Sequence, residues 1–124
     1  MERAVTHAVR HAKARMLFGR PMFDLQSARF QLARARTHAV VARTFVDHCI
    51  TQLADGVLNA ETAAMAKWFL TDLEGKVLDN CLQLFGGDGY MADHPMARLY
   101  TDARIQRIYG GANEIMLEVI AQAL

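Results

Sequence analysis

Asn59-Ala60-Glu61-Thr62-Ala63-Ala64-Met65-Ala66-Lys67-Trp68-Phe69-Leu70-Thr71-Asp72-Leu73-Glu74-Gly75-Lys76-Val77-Leu78-Asp79-Asn80-Cys81-Leu82-Gln83-Leu84-Phe85-Gly86-Gly87 reads as one long helix with both ends marked. Asn59 is an N-cap residue with Thr62 one turn on, and Gly86-Gly87 is a stop. Between them Met65, Trp68, Phe69, Leu73, Val77, Leu78, Cys81 and Leu82 recur at helical spacing. Gly75 is the anomaly. Inside a helix it costs about 1 kcal/mol relative to Ala, so close packing is expected to require its missing side chain.

Working outward, Asp55-Gly56 ends a preceding helix that runs from about Asp24 to Ala54 without a breaker. On it Val46, Ile50 and Leu53, flanked by Phe45 and Cys49, form an apolar stripe. Before that, Val5, Ala8, Val9, Ala12 and Met16 define a first helix from Glu2 to about Leu17, closed by a turn at Phe18-Gly19-Arg20-Pro21. On the far side, Gly86-Gly87-Asp88-Gly89 breaks the pattern. A short helix or turn is expected over Met96–Arg107, then Gly110-Gly111, then a last helix over Ala112–Leu124. The fold class is all-α: an antiparallel, up-and-down four-helix bundle with a short extra helix or turn before the last helix. Val46, Ile50, Leu53, Met65, Phe69 and Leu73 are expected in or near its core.

The 124 residues, 52% of them hydrophobic, are enough for a single domain spanning 1–124. A net charge of +1 hides an asymmetry: residues 1–43 carry nine Lys/Arg against Glu2 and Asp24, while residues 44–97 carry Lys67 and Lys76 against eight Asp/Glu. The plain expectation is two charged faces that attract one another as the helices pack. The basic residues are not interleaved with exposed aromatics, so no nucleic acid partner is expected. No run of about 18 apolar residues is present to span a membrane. The N-terminal MERAVTHAVRHAKAR lacks the apolar segment of a signal peptide. Met1 runs straight into an amphipathic pattern, as a truncation would. Cys49 and Cys81 are read as buried free thiols in a reducing compartment. His7 and His11 share a helical face but lack a third ligand and an intervening Glu, so no metal site is expected.

The glycine turn could let backbone amides approach a phosphate, because no Cβ blocks the way. Taken alone it is an ordinary helix terminator. Its meaning changes with its neighbours. Gln83-Leu84-Phe85-Gly86-Gly87-Asp88-Gly89-Tyr90, followed by Asp93, Arg98 and Asp102, resembles the C-terminal signature of acyl-CoA dehydrogenases at every fixed spacing. Arg104-Ile105-Gln106-Arg107-Ile108-Tyr109-Gly110-Gly111-Ala112-Asn113-Glu114-Ile115 is similar to that family's next segment, and Arg15-Met16-Leu17-Phe18-Gly19 with Gln26 to its Arg-x-x-Phe-Gly…Gln element.

Members of that family have an N-terminal helical domain, a middle β-barrel and a C-terminal four-helix bundle; this chain resembles the last. The resemblance implies FAD lying between barrel and bundle, with its ADP portion reaching the bundle of a neighbouring subunit. Carried over by position, Arg15 pairs with the pyrophosphate, Phe18 and Gln26 line the adenosine side, and Gln83, Leu84, Phe85, Gly86 and Gly87 contact the ADP portion. Ala112, Asn113 and Glu114 fall near the flavin, and Tyr109, Gly110 and Gly111 near the substrate. Ala112 stands where Thr is usual. The implied chemistry is α,β-dehydrogenation of a fatty acyl-CoA, with electron-transfer flavoprotein or a similar acceptor and a homo-oligomer, tetramer or dimer. Most members have the catalytic Glu where this chain has Gly110. That points to the long-chain and isovaleryl-CoA dehydrogenase branch, whose Glu would lie upstream of Met1; Glu2 is out of register, so no catalytic residue is assigned here and the isolated fragment is expected to be inactive. The implied location is the bacterial cytoplasm or the mitochondrial matrix. An acyl-CoA oxidase-like flavoenzyme, or a helical interaction module without cofactor, are the other readings.

Overall fold

The computed structural model describes residues 1–124. Helices α1 (Glu2–Ala14), α2 (Gln26–Ala54) and α3 (Ala60–Phe85) are followed by a single turn, α4 (Gly87–Tyr90), then α5 (Pro95–Ile105) and α6 (Asn113–Ala121). Between α1 and α2 lie two short antiparallel strands, β1 (Met16–Leu17) and β2 (Arg20–Pro21), and a 3-10 turn over Met22–Asp24. The all-α bundle is as the sequence predicts. No helix is long and apolar enough to cross a membrane.

The helix ends follow local chemistry. Asn59 caps α3 by accepting from the Thr62 amide at 2.7 Å. His94 does the same for α5, its Nδ1 accepting from the Met96 amide at 3.1 Å, with Pro95 at the first helical position. Helix α1 stops three residues before the expected Leu17, because Arg15 turns into an extended conformation and the chain pairs Met16 with Pro21 and Leu17 with Arg20.

Helix α3 is the hub, packed against α1, α2, α5 and α6. The core differs from the expected one. Leu73 is buried and Val46 and Met65 are half-buried, but Phe69, Ile50 and Leu53 lie on the surface, Ile50 at 55% and Leu53 at 66% exposure. The buried seam consists instead of Ala4, Val5, Ala8 and Ala12 of α1, Ala28, Leu32, Ala35, Ala39 and Ala42 of α2, and Leu73, Val77, Leu78 and Cys81 of α3, closed by Met96 and Ala103. Alanine is short enough to bring helix axes close, so the small side of each helix turns inward and the bulky stripe of α2 is left outside.

The charge asymmetry is not neutralised by packing either. Between elements, the only ion pairs are the Met1 ammonium with Glu74 at 3.1 Å and a loose Arg107–Asp72 contact at 3.9 Å. The other two pairs, Arg43–Asp47 and Lys76–Asp72, are one-turn neighbours on single helices. The basic side chains of α1 and early α2 therefore project to solvent instead of meeting the acidic ones.

Candidate functional site

The strand pair after α1 is built around a two-residue turn. Phe18 and Gly19 both have positive φ, +52° and +78°, the geometry whose twist suits a tight hairpin. For phenylalanine this is an uncommon and unfavourable backbone state. Packing does not compensate it, since the ring is 91% exposed. The backbone strain at Phe18 is therefore offset by no packing of its own side chain within the chain. Arg15 sits at the foot of the hairpin, its carbonyl accepting from the Met22 amide at 2.7 Å. Its guanidinium is exposed and takes part in no ion pair within the chain. Gln26 opens α2 nearby, also exposed.

The glycine turn lies at the same end of the bundle. Gly86 has φ +61° and ψ −146°, a region reserved for glycine, and a Cβ built at Gly86 or Gly87 would meet nothing within 4 Å. Both backbones are thus bare toward solvent. Leu84 and Phe85 turn inward against the core, while Gln83 faces out. Phe85 fixes the turn to its surroundings: its ring stacks on His11 at 4.2 Å and meets His94 edge-on at 5.1 Å. Gly89 is needed for that arrangement, since a Cβ there would come within 2.5 Å of the Phe85 Cβ. The His11 pKa is held below the ordinary histidine value, first by burial and then by the Arg15 and His94 charges, with Asp88 opposing. His7 is lowered too, by burial and then by Arg10 and Arg3. The stacking of His11, four residues before Arg15, on Phe85, the residue before Gly86, brings the foot of the hairpin and the glycine turn to the same end of the bundle.

Arg15, Phe18 and Gln26 on one segment and Gln83, Gly86 and Gly87 on the other are all exposed at this end of the bundle. A free guanidinium, two free carboxamides, bare glycine backbone and an unpacked aromatic ring form the donor set that a diphosphate joined to an aromatic base needs. The residues present fit the ADP portion of a flavin.

The second predicted group sits elsewhere. Tyr109, exposed at 58%, precedes Gly110 and Gly111, which take φ of +65° and +95°. Ala112 caps α6 without a side-chain hydrogen bond. Asn113 is buried, its Oδ1 accepting from Lys67 Nζ at 2.7 Å and from Thr71 Oγ1 at 3.1 Å, so its side chain points into α3 while Glu114 faces solvent. Lys67 and Gln83 are sixteen residues apart on α3. At 1.5 Å per residue the two groups are separated by about 24 Å along the helix. No carboxylate occurs in the Tyr109–Ala112 loop. His7 and His11 diverge in use, His7 to Arg10 at 3.0 Å and His11 to Phe85, and no three His, Cys, Asp or Glu side chains converge on a metal position.

Two contributors were not singled out by sequence reasoning. Lys67 of α3 holds Asn113, forty-six residues away in sequence, and carried no local signal of that partner. The histidine sandwich of Phe85 joins residues far apart in sequence and had none.

The description "acyl-CoA dehydrogenase, C-terminal domain" belongs to the family model that matches residues 1–124. The long-chain specific mitochondrial acyl-CoA dehydrogenase of Sus scrofa is 43% identical over 114 residues, covering 92% of this chain and 26% of that protein. An acyl-CoA dehydrogenase of Bacillus subtilis is 41% identical over 123 residues, 99% of this chain and 32% of its own length. Butyryl-CoA dehydrogenase from Megasphaera elsdenii superposes with a TM-score of 0.94 at 36% identity, over 98% of this chain and 32% of that one. The chain thus spans about a third or less of the relatives it matches.

Proposed function

Because this chain belongs to the acyl-CoA dehydrogenase family, as its C-terminal domain, we propose that the protein carrying it oxidises a fatty acyl-CoA thioester between Cα and Cβ with FAD as the hydride acceptor. The observation that carries this is the unpaired Arg15 beside the strained, unpacked Phe18 and the bare Gly86-Gly87 backbone. When bound, the flavin supplies the two-electron chemistry. The residues of this chain bind and orient. Arg15 neutralises the pyrophosphate with a guanidinium fork, Phe18 and Gln26 take the adenosine side, and Gln83 through Gly87 complete the ADP contacts. Tyr109, Gly110 and Gly111 line the acyl side, with Ala112 and Glu114 near the flavin. Asn113 acts from beneath, holding the loop to α3.

The 24 Å separation supports a site shared between copies: a bundle that holds one flavin by its ADP end at the hairpin offers Tyr109–Glu114 to another. A homo-oligomer follows, tetramer or dimer, and the exposed Ile50, Leu53, Val57, Ile108 and Ile115 suit subunit contact. The base that removes the α-proton comes from outside the Tyr109–Ala112 loop, as in the long-chain and isovaleryl branch. The electron acceptor is electron-transfer flavoprotein or a similar protein, in a bacterial cytoplasm or mitochondrial matrix.

The test is the purified parent protein mixed without oxygen with acyl-CoA esters of increasing chain length. Bound flavin should lose its yellow absorbance on mixing. A colourless protein, or a yellow one that no acyl-CoA bleaches, would sink the reading.

A further inference from the structure

Gly75 lies in the middle of α3, and a Cβ there would overlap the Arg107 guanidinium, with Cζ at 2.7 Å. The missing side chain is a notch cut for one arginine. Arg107 enters it from the connection between α5 and α6, with Nη1 3.9 Å from Asp72 Oδ1. Its Nε is buried and has no hydrogen-bond partner. A half-buried guanidinium with a long ion pair and an unmet N–H is poorly placed to add stability.

What the seat does accomplish is visible in the backbone. The Arg107 carbonyl accepts from the Asn113 amide at 3.0 Å, and the Asn113 side chain is itself held by Lys67 and Thr71. Lys67, Thr71 and Gly75 are successive turns of one face of α3. The segment 108–112 is therefore tied down at both ends to one rigid helix. Between the ties lie two left-handed glycines, the residues with the most conformational freedom to lose.

We infer that Arg107, seated in the Gly75 notch, is a positioning residue that holds the Tyr109–Gly111 loop in place against the acyl chain; the inference rests on the substrate role given to that loop above. Filling the notch displaces the arginine, whose far end is free to swing away, and leaves the helix better formed. Gly75→Ala thus separates loop order from helix stability.

The experiment uses the flavin-loaded parent protein with Gly75→Ala, Arg107→Gln and Arg107→Lys. Amide hydrogen exchange over 108–113 should quicken about tenfold in the first two, while α1 and α2 keep their rates. Helix propensity should keep the melting temperature of Gly75→Ala from falling. With loop order lost, kcat should drop about tenfold and KM for acyl-CoA stay within about twofold, because orientation and not uniform binding is removed. Arg107→Lys, which keeps the charge without the planar fork, should fall between. Unchanged exchange in both Gly75→Ala and Arg107→Gln overturns the inference, as does faster exchange with an unaltered kcat. If acyl-CoA does not reduce even the wild-type flavin, the substrate reading fails instead, and exchange alone decides whether Arg107 anchors the loop.

Discussion

Replacing Asn113 with alanine removes the acceptor that fixes α6 to α3. Two donors lose it. Thr71 Oγ1 also donates to the Lys67 carbonyl at 2.8 Å, so its second bond is replaceable and its loss close to neutral. Lys67 Nζ has no other acceptor in the chain, and its 2.7 Å charge-assisted bond is worth about 1.5–3 kcal/mol. Because Lys67 is only half-buried, water recovers part of this, and we expect a loss of about 2 kcal/mol. For a domain of this length that lowers Tm by about 8 °C. Asn113→Asp keeps an acceptor, adds a favourable charge beside Lys67 and the α6 N-terminus, and should match or exceed the wild type. Thermal unfolding followed by circular dichroism, with urea midpoints alongside, reads both changes. An alanine variant within about 1 °C of wild type would refute the anchoring argument, as would an aspartate variant that falls equally far.

Arg15→Ala should weaken flavin retention about ten- to a hundredfold, the equivalent of one charge-assisted contact, seen as flavin fluorescence released on dilution of the parent protein; unchanged occupancy would remove Arg15 from the site. Phe18→Asn should raise Tm by about 2–4 °C, since asparagine tolerates the left-handed turn and the exposed ring packs against nothing, while flavin affinity falls. A loss of stability would show that the ring is doing structural duty. Burial pushes the Cys81 thiol from 9.0 up to about 11, against the pull of the Met1 ammonium. The folded state favours the neutral thiol, so its contribution is complete below pH 9 and disappears as pH rises from 9 toward 11. Urea midpoints should decline over that window more steeply in wild type than in Cys81→Ala; equal slopes would contradict the assignment. His11 carries the opposite dependence: its lowered pKa means stability held above its ordinary value of 6.5 is given up as pH falls below it, and His11→Gln should flatten that limb.

Element identity was legible because the punctuation is local. Asn59, Gly56, Gly86 and Pro95 each act within a few residues of where they stand, and the helices begin or end there. The residues proposed for the ADP side stand in two short segments, Arg15–Gln26 and Gln83–Gly87, so each group could be named from sequence, while the hairpin that shapes the first segment could not. The strand pair was not legible, since two residues per strand give no period to detect. The placement of Ile50 and Leu53 failed more instructively. Periodicity reports which residues share a face, and cannot say whether the chain itself or a second surface covers that face. Large residues were taken for the core, while the alanines that form it carry little hydrophobic signal. Gly75 was recognised as a packing residue, but its partner Arg107 lies too far along the chain to be paired by inspection.

Nine of the buried residues are alanines: Ala4, Ala8, Ala12, Ala28, Ala35, Ala39, Ala42, Ala64 and Ala103. In a core of leucines and phenylalanines the common injury is a hole, and a neighbouring side chain can relax into it. Here most positions have nothing left to truncate, so the vulnerability runs the other way. A single added methyl group at Ala8 or Ala39, each almost fully enclosed, has to push two helix backbones apart, at about 1–3 kcal/mol. Such a seam restricts which mutations the lineage can explore at its centre. On the outward face of α2 residue size is not set by the bundle itself, so any constraint on Ile50 and Leu53 comes from what that face contacts and not from the fold.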